Sequence, residues 1–270
     1  MIIAYIAEIV GKAGIYSFKK GLQELRNKKN IDFVIACADG ATGGHGLGRN
    51  HAGYLRKLGA DVLTTGECCF FKKDMVENFD QIPYVLRPDN LQSSAPGVGA
   101  RFFKVGNTKV AVAVLLGQSG FNRLHGDNPY SRMPVLIERL KQESPIVIVD
   151  FHASTTAEKL TLFHAVKGKC TAVIGSHFRV QTADECIIDG TAYITDAGRT
   201  GSINSVGGVD AQTRVQEFLT GIPDWTKEAW DKPELQGVLI DVNDAGIAKS
   251  IERIKIPLPE AEGERDRQDQ

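Results

Sequence analysis

No apolar run in this 270-residue chain approaches the roughly 20 residues that a membrane-spanning helix needs. The N-terminal segment MIIAYIAEIVG is short and carries Glu8, so it predicts neither a secretory leader nor a span. Neither sign of charge is in excess: 32 Lys and Arg against 33 Asp and Glu give a formal net charge of −1, which offers no bulk attraction for nucleic acid or an anionic membrane. Basic density occurs only at Arg26, Lys28 and Lys29, the pattern of a solvated helix end. Cysteine is sparse and odd in number (Cys37, Cys68, Cys69, Cys170, Cys186), with no Cys-x-x-Cys spacing. A disulfide framework is therefore not expected, and a reducing, cytoplasmic setting is. The glycine-rich run 40–48 is followed by no Gly-Lys-Ser/Thr, which excludes a phosphate-binding P-loop of the Walker type. There are no internal repeats and no linker, and the apolar content of 42% is enough for one full core.

What is present is an alternation of strand-like and helical patterns. Short apolar runs at 2–6, 33–37, 62–65, 84–86, 146–151, 172–174 and 191–195 predict strands. Helical spacing is read over 14–26, where Ile15, Phe18, Leu22 and Leu25 share a face, and over 50–58, 72–79, 134–143, 156–165 and 210–219. Two hairpins are expected, one at 100–116 about Gly106-Asn107 and one at 238–256 about residues 243–246. The stretches 117–134 and 198–208 are rich in Gly and polar residues and predict loops over a site. Together these imply a single domain over 1–256, an α/β fold of two packed sheets with helices outside, and a charged tail over 257–270.

Several apolar runs end in chemically capable residues: Glu8 in IAEIVG, Asp39 in CADGAT, Glu67 in TTGECC, His152 in VDFHAS and His177 in VIGSHFRVQTAD. A fold that gathers strand ends along one edge builds its site there. DFHAS-T-AEK at 150–159, VIGSH-xx-VQTAD at 173–184 and GTAYITDAG-TG at 190–201, with RPDN at 87–90 and G-HG-G at 43–48, resemble the YmdB-like branch of the calcineurin-like metallophosphoesterase superfamily over nearly the whole chain. The resemblance implies a four-layer α/β/β/α sandwich and a two-metal centre that hydrolyses phosphodiesters, cyclic nucleotides among them. It also implies assembly into a homo-oligomer.

Residue by residue, this chain departs from that pattern. Where the family has Gly-Asp, Gly-Glu-Asn and Gly-Asn-His, this sequence has Ala7-Glu8, Ala38-Asp39-Gly40 and Gly66-Glu67-Cys68. The family's GTHTH reads GSHFR, which keeps His177 and puts Arg179 at its second histidine. The centre implied by the resemblance would hold three carboxylates, Glu8, Asp39 and Glu67, and one fixed cation. Arg179 would pair with Glu8 or Asp39 and stand where a first metal would be. Asp39, Glu67, His152 and His177 would remain as ligands for at most one ion (iron, manganese or zinc) or for none. Cys68 stands at the position of the family's general-acid histidine. Its ordinary pKa near 8.5 makes it a poor replacement, and losing such an acid costs on the order of 10²–10⁴ in rate.

The expectation that follows is a weakened or inactive relative acting as a structural, assembly or regulatory protein through a protein partner or self-association. The alternative is an active phosphodiesterase with a remodelled centre. A third reading is a metal-free sensor that holds a nucleotide or phosphate with Arg179. His45 is placed in a glycine-rich loop that could reach the cleft mouth, and His51 at a helix start. His125 and His164 are read as surface or packing residues.

Overall fold

The computed structural model describes residues 1–224 and 227–260. Its strands follow the β-branched runs, and their side-chain alternation explains the layering. In β1 (Ile2–Ile6) and β3 (Phe33–Cys37), Ala4, Ile6, Val34 and Ala36 face one apolar cluster while Ile3, Tyr5, Phe33 and Ile35 face another. In β7 (Thr108–Leu116) and β8 (Ile146–His152), Val110, Val112, Ile146 and Ile148 face that same second cluster, and Ala111, Ala113, Val147 and Val149 a third. A period of two with both faces apolar is what a doubly covered sheet requires.

One sheet of the described residues has eight strands. Along it run β2 (Glu8–Ile9), β12 (Arg199–Ser202), β13 (Pro233–Val242), β1, β3, β4 (Val62–Thr64) and β5 (Val85–Leu86), and β14 (Ala248–Pro257) pairs with β13. The second sheet has six: β10 (Cys186–Ile188), β11 (Thr191–Ile194), β9 (Ala172–Ser176), β8, β7 and β6 (Ala100–Val105). Helix α1 (Gly11–Lys28) covers the outer face of the first sheet through Phe18, Leu22 and Leu25, and α2 (Arg49–Leu58) joins it through Ala52 and Leu55. Helices α4 (Pro129–Lys141) and α5 (Thr156–Val166) cover the second sheet through Met133, Leu136, Leu162 and Phe163. The result is the α/β/β/α sandwich expected from the sequence.

Some boundaries differ. The loop expected over 198–208 contains β12, paired with both β13 and β2. Its RTGS sequence has no apolar periodicity, so tertiary pairing sets its conformation. Helix α4 begins at Pro129 rather than at 134: the Asn128 side chain accepts from the Tyr130 amide at 2.9 Å, and Pro129 occupies the first turn, where a missing N–H costs nothing. The helix expected over 72–79 is one turn, α3 (Lys73–Val76), and β10 had no strand signal. The tail expected from 257 onward is tied down at its start, where the Leu258 amide donates to the Pro233 carbonyl at 2.9 Å; residues 261–270 lie outside the described residues. No described helix is long and apolar enough to cross a membrane.

Candidate metal centre

Strands β1, β3 and β4 run parallel in one sheet, and β7, β8 and β9 in the other. Their carboxyl ends meet along one edge, and every predicted strand-end residue is there. The inward parity of β8 runs Ile146, Ile148, Asp150, His152, so the last two positions place polar groups between the sheets. The β8–β9 register sets Ser176 beside His152. Asp150, which the sequence reading left without a role, accepts from the Tyr5 hydroxyl at 2.7 Å, Thr64 Oγ1 at 2.5 Å and Ser176 Oγ at 2.6 Å.

That chain fixes a tautomer. Ser176 gives its only proton to Asp150, so its oxygen must accept from His152 Nδ1, 2.9 Å away. His152 Nε2 is thereby aimed at the centre, as a histidine ligand with an outer partner is. It contacts Glu67 Oε2 and lies 3.2 Å from His177 Nδ1 and 3.8 Å from Asp39 Oδ2. His177 Nδ1 is 3.2 Å from Glu67 Oε1. Asp39 is held by the amides of Gly66 at 2.5 Å and Cys68 at 3.1 Å, which ties the end of β3 to the turn after β4. Gly66 is obligatory there, since a Cβ would lie 2.3 Å from the His152 ring.

Burial pushes the Asp39 carboxyl up, and the neighbouring Glu67 charge pushes it further. Glu67 is held below the usual carboxylate range, because His152 and His177 outweigh the burial that would raise it. Burial would lower His152, but Glu67 overrides it and raises the imidazole to about 10. An incoming cation must displace that proton. Donors about 2.0–2.2 Å from one ion lie roughly 3–3.5 Å apart; the two 3.2 Å separations fall in that range and the 3.8 Å one just outside it. Glu67, His152 and His177, with Asp39 beside them, therefore suit one divalent ion once the closer His152–Glu67 contact opens to admit it.

Glu8 stands apart from this set. Its Oε1 accepts from Arg179 Nη2 at 2.7 Å and Nε at 3.0 Å. Of the two partners expected for Arg179, Glu8 is the one found. The segment that carries His177 and Arg179 is bent, with φ of 99° and 61° at those residues. Between them, the Phe178 amide donates to Asp196 Oδ2 at 2.9 Å, and the same oxygen accepts from Lys159 Nζ at 2.8 Å. Lys159 and Asp196 are fully buried. Both belong to motifs that marked the family resemblance, yet only the fold shows them clamping the site loop.

A cavity of about 600 Å³ opens on the centre, lined by Glu67, His177, His45, Cys68, Phe71 and Phe121 among others. His45 thus reaches the cleft, and burial followed by the Arg179 charge lowers its pKa. Burial and the charge of Asp39 push the Cys68 thiol well up, so it stays neutral. Phe121 sits edge-on to His177 at 5.1 Å, and the Arg123 guanidinium lies 5.7 Å from the Phe71 ring centre. Phe121 falls in the long loop that the sequence marked as functional, but nothing in its spacing identified that residue.

The model of the family described as YmdB-like protein matches residues 4–254. The 2',3'-cyclic-nucleotide 2'-phosphodiesterase of Bacillus subtilis is 36% identical over 258 residues, covering 95% of this chain and 97% of that one. A crystal structure of a novel phosphatase from Mycoplasma pneumoniae superposes with a TM-score of 0.89 at 30% identity, covering 95% of this chain and 93% of the other. A hypothetical protein from Thermus thermophilus gives a TM-score of 0.88 at 28% identity, covering 96% of this chain and 100% of the other. More distant 5'-nucleotidase structures, such as that of Staphylococcus aureus at 14% identity and TM-score 0.58, share the fold.

Proposed function

The chain belongs to the YmdB-like family, and we propose that it is a metal-dependent phosphodiesterase acting on nucleotide-type diesters. The observation that carries this reading is the grouping of Glu67, His152 and His177, with Asp39 3.8 Å from His152, beside a cavity that Glu67 and His177 line together with Phe71 and Phe121. A divalent cation bound there would polarise a phosphoryl oxygen and acidify a water. The chain's own residues do the rest. Ser176 and Asp150 keep the His152 Nε2 lone pair pointed inward. The amides of Gly66 and Cys68 hold Asp39 still, so little reorganisation accompanies binding. Phe71 and Phe121 offer flat apolar faces to a planar substituent of the diester, with Arg123 over the first.

Hydrolysis of a diester leaves an alkoxide that needs a proton. The neutral Cys68 thiol is a weak donor for it. His45 lines the same cavity, and we assign its protonated form to the leaving oxygen. Because burial and the Arg179 charge lower its pKa, that form is a minor fraction at neutral pH, and turnover should rise as pH falls toward about 6. The similarity to a 2',3'-cyclic-nucleotide 2'-phosphodiesterase supports that substrate class. The competing reading, an inactive binding protein, rests on Arg179 and Cys68; the Glu67-His152-His177 donor group and hydrolase-named relatives weigh against it. The test is turnover of 2',3'-cyclic AMP by the manganese-loaded chain, with His45→Ala lowering kcat about 10²–10⁴-fold. An unchanged kcat in that variant removes the role from His45, and no turnover with manganese, iron or zinc removes the proposal.

A further inference from the structure

We infer that the Arg179 guanidinium is a built-in replacement for a second metal ion, so that this centre combines one exchangeable cation with one permanent cation. The inference rests on the metal-dependent reading only for the ion beside it. Phosphodiester hydrolysis between two ions about 3.5–4 Å apart uses both positive charges to clamp the phosphate. The acidic groups here divide accordingly: Glu67 sits with both histidines and Asp39 lies 3.8 Å from His152, while Glu8 alone pairs with the guanidinium.

The arrangement is built for an arginine. Nε and Nη2 both donate to Glu8 Oε1, at 3.0 and 2.7 Å. On its other side the guanidinium donates from Nη2 to the Gly44 carbonyl at 2.9 Å and from Nη1 to the Gly207 carbonyl at 2.8 Å. Two loops far apart in sequence therefore close on it. Gly40 makes the room: a Cβ there would lie 2.9 Å from Nη2 and 2.9 Å from Glu8 Oε1, so any side chain would displace the ion pair. Arg199 Nη1 donates to the Arg179 carbonyl at 3.1 Å and fixes its backbone in the left-handed conformation.

A guanidinium cannot give up its proton to become a ligand. Glu8 does retain a free oxygen: Oε2 is buried and has no hydrogen-bond partner. A second ion is thus excluded twice over: the position that would supply a histidine donor carries Arg179, and the cation of that same residue already occupies Glu8. The fixed charge also acts on Asp39 and Glu67, so part of the anionic character of the centre is balanced whether or not metal is present. Chelators can remove one cation from this centre and not the other.

The test is metal stoichiometry and spin coupling in the full chain. Protein stripped with EDTA is saturated with manganese(II), desalted and analysed by elemental mass spectrometry, and its electron paramagnetic resonance spectrum is recorded. Wild type is expected to hold one equivalent with the six-line spectrum of an isolated ion. Arg179→His, which exchanges the permanent cation for a metal donor, is expected to take up one equivalent more than wild type and to show an exchange-coupled pair. Two equivalents or a coupled spectrum in wild type overturns the inference, and needs no variant to fold. So does an Arg179→His chain that keeps the wild-type circular dichroism but binds no additional ion. If wild type binds nothing while Arg179→His binds one ion, the metal-dependent reading falls and the inference about Arg179 stands.

Discussion

Replacing Lys159 by Met separates the stability of the fold from the geometry of the site. Lys159 Nζ lies 2.8 Å from Asp196 Oδ2, with both side chains at 0% exposure, and 4.2 Å from the centre of the Phe178 ring. Removing one partner of a buried pair costs about 3–5 kcal/mol, because the other is left as an uncompensated charge. Asp196 retains the amides of Phe178 and Gly198, each at 2.9 Å, so the lower end, about 3 kcal/mol, is expected. At roughly 2–4 °C per kcal/mol for a chain of this size, Tm falls by about 6–12 °C. The second consequence is local. Phe178 sits between His177 and Arg179, whose positive φ values each cost on the order of 1–3 kcal/mol and persist only where their surroundings enforce them. With the clamp weakened, His177 is held less firmly, and manganese affinity should fall about 10–100-fold, as it does when outer partners of ligands are lost. Urea unfolding of the metal-free chain reads the first effect and calorimetric titration the second. A loss below about 1 kcal/mol refutes the buried-pair argument, and a large loss with unchanged metal affinity refutes the link to the site.

Ser176→Ala removes the acceptor that fixes the His152 tautomer and a donor to Asp150, and should weaken metal binding about 10–100-fold while costing about 1–3 kcal/mol of stability for the buried group left unpaired. Phe71→Ala removes a stacking face from the cavity; at about 1–3 kcal/mol per stacked base, KM for a cyclic nucleotide should rise roughly 5–150-fold while KM for a dialkyl phosphate ester does not move. Partial desolvation raises the Asp184 carboxyl, but donors from Thr182 and Thr195 outweigh this and hold it below its ordinary value. A depressed folded pKa means the stabilisation is present above about pH 4 and lost as pH falls through the folded value. The Tm gap between wild type and Asp184→Asn should therefore shrink between about pH 5 and pH 3 in thermal melts.

The sandwich was legible because most of its strands are apolar runs rich in β-branched residues, separated by helical spacing and turn chemistry, as at Gly106-Asn107. Residues such as Glu8, Asp39, Glu67, His152 and His177 were found because each ends a strand, and the parallel sheets bring those ends to one edge. What could not be read locally was anything fixed by distant pairing. Strand β12 has polar, glycine-containing sequence and exists only through its neighbours. Asp150 looks like an interruption of an apolar run until Tyr5, Thr64 and Ser176 are seen to donate to it across the two sheets. Sequence left Arg179 a choice between Glu8 and Asp39. Gly40, Gly44 and Gly207, drawn together from both halves of the chain, decide it for Glu8.

The central claim is that one metal ion, held by Asp39, Glu67, His152 and His177, makes this a working phosphodiesterase. The most direct test follows hydrolysis of 2',3'-cyclic AMP by wild-type chain before EDTA treatment, after it, and after stepwise return of manganese. Turnover that disappears with the chelator and returns in proportion to the first equivalent of metal is the result expected. Turnover that is absent throughout, or that needs a second equivalent to appear, contradicts it.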